Sequence, residues 1–234
     1  MSETGRRKVR VAIDGPAGAG KSTVARALAE RLGYLLLDTG ALYRTVALAA
    51  QRAEIPWHDG VRVGDLAEDL VVRHRLVIER NENVGMRIRL DGDDVSHAIR
   101  TPDVSLGASR VSSYPAVRAA LLDMQRREGI EGGVVLEGRD IGTVVFPDAE
   151  AKFLLTASAE IRARRRYEEL VARGKADSFE TTLADVESRD KADTERAVAP
   201  LKQADDAIVV DSSHRDINDV VEEMARVVES RECL

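Results

Sequence analysis

The chain has 234 residues, 44% of them hydrophobic and 32% charged, with a formal net charge of -6. That is enough apolar material for one cored domain, or one domain carrying a large insertion, and the negative balance argues against binding nucleic-acid polymers, which relies on Lys and Arg to neutralise phosphates. The one cysteine, Cys233, excludes a disulfide within the chain and a thiolate metal cluster, and no apolar run approaches the roughly 20 residues that cross a bilayer.

Ser2 to Lys8 is polar and basic with no signal-peptide core behind it, so it reads as a frayed end and the protein as soluble and cytoplasmic. Val9 to Ile13 is apolar and β-branched and leads through Asp14 into a glycine-rich turn, the pattern of a buried strand. A helix is expected next, with Val24, Leu28 and Leu32 on one face and Gly33 at its C-terminal cap. Tyr34 to Leu37 reads as a second strand, and Thr39 as the cap of a helix through about Gln51, ended by Pro56.

From about Gly60 to Leu106 the rhythm changes. A short helix precedes a strand at Leu76 to Glu79, a polar turn at Asn81 to Asn83 and a strand at Met86 to Leu90, which together form a hairpin inserted into an α/β chain. A helix near Ala116 to Arg127 and strands at Val134 to Leu136 and Lys152 to Leu155 restore the α/β pattern. The charged stretch Ile161 to Arg196 follows. Ala207 to Val210 is a fifth strand, and Val220, Val221, Met224 and Val228 stripe the last helix. Strands alternating with helices imply a five-stranded parallel sheet covered on both faces, with ligands at the carboxyl ends of the strands.

One of those ends carries Gly15-Pro16-Ala17-Gly18-Ala19-Gly20-Lys21-Ser22. This fits G-x-x-x-x-G-K-[ST], in which glycines let backbone N–H groups curl round phosphates at a helix N-terminus. Lys21 would reach the β and γ phosphates of ATP, with Thr23 adjoining. Ser22 would offer its hydroxyl to Mg²⁺, partly through water. Guanine-recognition and switch signatures (Asn-Lys-x-Asp, Asp-x-x-Gly) do not occur, which disfavours a GTPase. Three strands end in acids, Asp38, Glu137 and Asp211, each a candidate metal support, and Asp38 is the preferred one. The four scattered histidines suggest no metal site, and Trp57 reads as a packing anchor.

The segments Leu37-Asp38-Thr39-Gly40-Ala41-Leu42-Tyr43-Arg44, Glu137-Gly138-Arg139-Asp140-Ile141-Gly142-Thr143-Val144-Val145-Phe146-Pro147 and Arg196-Ala197-Val198-Ala199-Pro200-Leu201 give the chain a family. With them it closely resembles the bacterial cytidylate kinases, from about Val11 to the final helix. The resemblance implies a nucleoside monophosphate kinase fold that moves the γ phosphate of ATP to CMP or dCMP. The core would be residues 1–59 and 107–234, with a helical lid at about 161–196 and a monophosphate-binding insertion at 60–106.

By the same resemblance Ser109, Arg118 and Asp140 would recognise cytosine, while Arg44 and Arg139 would clamp the acceptor phosphate beside Thr39. Arg189 and Asp193 would hold the sugar and Arg196 would lie near the phosphates. Lys21, Arg139, Arg189 and Arg196 would form the catalytic set. Arg162 and Arg165, at the start of the lid, are candidates for contact with ATP, as is Arg166. The chain departs from some relatives in having serine after the P-loop lysine, and its strand-end acid is Glu137. Another nucleoside monophosphate kinase and a non-catalytic nucleotide-binding regulator are the alternatives. A monomer is expected, since no exposed heptad is present.

Overall fold

The computed structural model describes residues 7–80, 85–175 and 177–232. The turn expected at Asn81 to Asn83, Cys233 and the N-terminal stretch up to Arg6 lie outside them. Five parallel strands make the central sheet: β1 (Arg10–Asp14), β2 (Leu35–Asp38), β6 (Val134–Gly138), β7 (Ala151–Thr156) and β8 (Ile208–Asp211), in the order β2-β6-β1-β7-β8. The strand before the glycine-rich turn is therefore the middle one. Its two neighbours, β6 and β7, hold it in register from Arg10↔Val134 and Val11↔Ala151 onward.

Helix α1 (Lys21–Leu32) starts from Gly20 and ends at Gly33, whose φ of 65° only glycine adopts without strain. Its apolar side meets helix α8 (Ile217–Glu232) on one face of the sheet, where Val24, Leu28, Phe153, Val220, Met224 and Val228 form a continuous cluster. The opposite face is covered by Ile141, Val145 and Phe146 from the turn after β6.

Helix α2 (Thr39–Arg52) begins as expected but is capped differently. The Asp38 carboxylate, rather than the Thr39 hydroxyl, accepts the Ala41 N–H at 3.2 Å. An anion is the better partner for the positive end of a helix, and the Thr39 hydroxyl instead donates to the Glu137 carbonyl at 2.8 Å. Helix α3 (Gly60–Val72) leads into the antiparallel sheet of β3 (Leu76–Arg80), β4 (Met86–Leu90) and the two-residue β5 (Asp93–Asp94).

A helix absent from the expected elements, α4 (Pro102–Val111), precedes α5 (Pro115–Gly129). Its start is written locally: the Thr101 hydroxyl accepts the Val104 N–H, and Pro102 occupies the first helical turn. The cluster round the hairpin runs from Ala41 to Leu121 and takes in α2 to α5. Trp57 packs against it and donates its indole N–H to the Ala47 carbonyl at 2.9 Å. The charged stretch resolves into two helices, α6 (Ala159–Ala172) and α7 (Phe179–Glu195), capped by Ser158 and Ser178.

Phe153, on β7, is 1% exposed and fills the space between sheet, α1 and α8. Phe153→Ala should cost about 3–5 kcal/mol, the usual penalty for emptying such a site. Urea unfolding of the two proteins checks it, and a loss below about 1 kcal/mol would contradict this account of the core.

Candidate active site

The turn after β1 is shaped by close approach. A Cβ on Gly15 would lie 2.0 Å from the Leu155 carbonyl oxygen, so only glycine lets the chain leave β1 past β7. Gly18 and Gly20 have φ of 78° and 86°, which turns the loop back onto the start of α1. Lys21 lies inside the loop and donates Nζ–H to the carbonyls of Gly15 and Pro16, both at 2.7 Å. Burial, with the nearby Arg139, lowers its pKa against the opposing pull of Glu137, Asp193 and Asp14.

Strand register lines up acids along the carboxyl edge of the sheet: Asp38 is level with Glu137, and Asp14 with Gly138. Ser22 donates its hydroxyl to Glu137 Oε2 at 2.9 Å. Glu137 Oε1 is buried with no partner, and burial, reinforced by Asp38, raises the pKa of this carboxyl. Asp38, the preferred metal support, is placed differently from Glu137. Asp38 caps α2 and accepts from Arg44 Nη2 at 2.5 Å, so the acid that reaches Ser22 is Glu137. Asp211, at the end of edge strand β8, accepts from the Ser213 N–H.

A second cluster stands beyond β6. Asp140 is 5% exposed and lies between two guanidinium groups, bonded to Arg118 Nη2 and, at 3.4 Å, to Arg196 Nη2. Arg118 is buried rather than on the helix surface, and its guanidinium sits over the Tyr43 ring, 5.4 Å from the centroid. Arg139 Nε donates to Asp193 at 2.7 Å. Burial works against the Asp193 charge, but Arg139, Arg189 and Arg196 outweigh it and lower its pKa. Arg189 Nε and Arg44 Nε are buried without partners. Ser109, half-buried on α4, joins this side through its carbonyl, which accepts from the Ser112 hydroxyl, while the Ser112 carbonyl accepts from Arg118 at 3.3 Å.

The arginines at the start of the charged stretch differ from one another. Arg162 is 4% exposed and donates to the carbonyls of Ala157 and Ala17 and to both oxygens of Asp190. Arg165 donates to the Ser212 carbonyl at 2.7 Å, and Ser212 donates in turn to the Ala19 carbonyl of the loop. Arg166 pairs with Glu169 on the surface. Thr23 is exposed on the first turn of α1.

The family model for cytidylate kinase matches residues 11–230. The chain belongs to the cytidylate kinase family. It is 51% identical over 231 residues to a cytidylate kinase of Geobacter sp. (strain M21), covering 99% of this chain and 97% of the relative. It is 50% identical to that of Geobacter sulfurreducens, with the same coverage, and 48% identical to that of Neisseria gonorrhoeae, covering 94% of this chain and 96% of the relative. Membership makes it a phosphotransferase with a P-loop kinase architecture.

Several residues that shape the site are not among those expected from the sequence. Asp14, Asp190 and Ser212 lie in none of the quoted motifs, and Tyr43, inside the segment Leu37 to Arg44, was given no role. Only Asp14 carried a local signal, as an acid closing a buried strand. It is 5% exposed and accepts the N–H groups of Ile141 and Gly142, each at 2.8 Å, pinning the turn that carries Asp140.

Burial outweighs those two bonds and pushes the Asp14 pKa up to about 6, from an ordinary 3.8. The folded chain therefore holds a proton that the unfolded chain has lost between about pH 4 and pH 6. The stability due to protonated Asp14 is complete below that window and lost as pH rises through it. The unfolding free energy of the native protein minus that of Asp14→Asn should fall by about 2–3 kcal/mol from pH 4 to pH 7. Urea unfolding across that range checks it; a difference independent of pH would contradict it. No described helix is long and apolar enough to cross a membrane.

Proposed function

We propose that this chain transfers the γ phosphate of ATP to CMP or dCMP, giving ADP and CDP or dCDP, as a cytoplasmic monomer. One observation carries the choice of base: a buried carboxylate, Asp140, set between two buried arginines one turn of chain beyond Glu137. A carboxylate only accepts hydrogen bonds and an arginine only donates. Cytosine answers both, with an amino donor beside ring-nitrogen and carbonyl acceptors. Uracil places a carbonyl where cytosine has its amino group, and that oxygen would face the carboxylate.

The nucleophile in this reading is an oxygen of the CMP phosphate, anionic at neutral pH, so no strong general base is needed. The difficulty is repulsion between two highly charged phosphate groups. Lys21 in the loop, with Arg139, Arg189, Arg196 and Arg44 round the acceptor, offsets it and stabilises charge spread over the moving phosphoryl group. A polyphosphate seated in the loop exchanges the Gly15 and Pro16 carbonyls on Lys21 for phosphate oxygens. Arg44 and Arg189 each keep a buried N–H free for an anion. Water is kept from the donor by α6 and α7, which we assign as the lid.

The residues present suit Mg²⁺. Ser22 and Glu137 provide a hydroxyl and a carboxylate, and Glu137 Oε1 is a buried oxygen without a partner. Mg²⁺ prefers oxygen ligands and takes few from protein where phosphates supply the rest. Among the described residues no three His, Cys, Asp or Glu gather as a complete site. Ser22 and Glu137 would hold the ion, which when bound would neutralise charge on the β and γ phosphates.

ADP release measured with ATP and each of AMP, GMP, UMP, CMP and dCMP tests the proposal. CMP and dCMP should lead; turnover led by a purine monophosphate would overturn it. Lys21→Met should lower kcat by about 10²–10³-fold, far more than it lowers stability in urea unfolding, and normal turnover would contradict the donor assignment. Asp140→Asn should narrow the CMP over UMP preference in kcat/KM by about tenfold or more. An unchanged ratio would sink the base-reading role.

A further inference from the structure

Arg162 was expected among the ligands of ATP, yet its hydrogen-bonding capacity is almost spent within the protein. Nε donates to the Ala157 carbonyl at 2.8 Å. Nη1 donates to the Ala17 carbonyl at 3.0 Å and to Asp190 Oδ1 at 2.9 Å, and Nη2 to Asp190 Oδ2 at 2.5 Å. A guanidinium has five N–H donors, and these bonds use four of them. Gly18 also packs on the same residue, since a Cβ there would meet Arg162 Cβ at 3.2 Å. The donor loop therefore rests on Arg162 by contact and by hydrogen bond.

The other end of this connection lies on α7. Asp190 grips Arg162, and Asp193, three residues on and on the same side of the helix, grips Arg139 at 2.7 Å. Arg189, beside Asp190, has its Nε buried without a partner. One helix thus touches the donor loop through Asp190 and Arg162, and the acceptor arginine through Asp193. A bidentate carboxylate–guanidinium pair is strong and directional, and Arg162 is 4% exposed, so neither partner can swing away without leaving a buried charge unpaired.

We propose that Arg162 is a positioning residue: with Asp190 it forms a strut between the donor loop and helix α7 that sets the separation of donor and acceptor phosphates. It acts through the Ala17 carbonyl and α7, and touches neither nucleotide. The proposal rests on the phosphoryl-transfer reading given above. In-line transfer is sensitive to spacing, and a misplacement of about 1 Å costs about 10²-fold in rate. A lysine at position 162 would keep the charge but could not reach Ala157, Ala17 and both oxygens of Asp190 together.

The test compares Arg162→Lys, Asp190→Asn and the double variant with the native enzyme. Each single variant should lower kcat for CMP phosphorylation by about 10–100-fold while KM for ATP changes less than about threefold. The double variant should be no slower than the worse single one, because the two residues act as a unit. Arg162→Lys raising KM for ATP tenfold or more while Asp190→Asn leaves it unchanged would make Arg162 a donor ligand and overturn the strut. Additive losses would overturn it too.

Amide hydrogen exchange with ATP alone gives a readout that requires no acceptor. ATP should slow exchange in residues 187–194 of the native chain, and Asp190→Asn should abolish that protection at saturating ATP. Protection retained in the variant would overturn the strut. Should Arg162→Lys not fold, judged by its unfolding midpoint, Asp190→Asn decides by both measurements. A native enzyme that leaves CMP unphosphorylated overturns the functional reading instead, and the exchange comparison still decides the strut.

Discussion

Burying charge at the carboxyl edge of an apolar sheet constrains everything else in this molecule. Asp14, Glu137 and Lys21 are each at most 6% exposed there, and an ion taken out of water is tolerated only where partners replace its hydration. Asp14 meets this demand with two backbone N–H groups, Lys21 with two carbonyls, and Glu137 with one hydroxyl. Both oxygens of Asp14 have a backbone partner, whereas Glu137 Oε1 has none.

The same constraint explains how an acidic protein keeps so many arginines near one cleft. Four guanidinium groups of the cluster beyond β6 are held by a specific acid: Arg44 by Asp38, Arg118 and Arg196 by Asp140, and Arg139 by Asp193. Pairing fixes each planar fork in place while leaving particular N–H groups free, and it keeps like charges from repelling one another apart. Preorganised dipoles of this kind stabilise developing charge without having to reorient during the reaction. The burial that lowers the pKa values of Arg189 and Arg196 is tolerable because Asp193 and Asp140 stand beside them.

Much of the architecture was legible because its signals are local. The run Val9 to Ile13, the stripe of Val220, Val221, Met224 and Val228, and Gly33 at a helix end each act within a few residues, and strands, stripe and cap lie where those patterns placed them. Helix α4 was missed although Thr101 and Pro102 announce it, because the hairpin on one side and α5 on the other drew the period. The cap of α2 was misplaced by one residue. Thr39 and Asp38 are both good caps, and only the neighbouring strand, which takes the Thr39 hydroxyl, decides between them.

The site divides along the same physical line. The spacing of Gly15, Gly18, Gly20, Lys21 and Ser22 by itself determined a phosphate-binding loop, since backbone curvature and a helix start are properties of contiguous residues. Family motifs assigned Thr39, Arg44, Arg139 and Asp140 to the acceptor without saying which protein groups hold them. Tertiary structure alone decided that Glu137 rather than Asp38 meets Ser22, that Arg118 is buried against Asp140, and that Arg162 is committed to Ala17 and Asp190. Those pairings join residues up to 145 positions apart, and a hydrogen bond is set by distances of about 3 Å that no local pattern encodes.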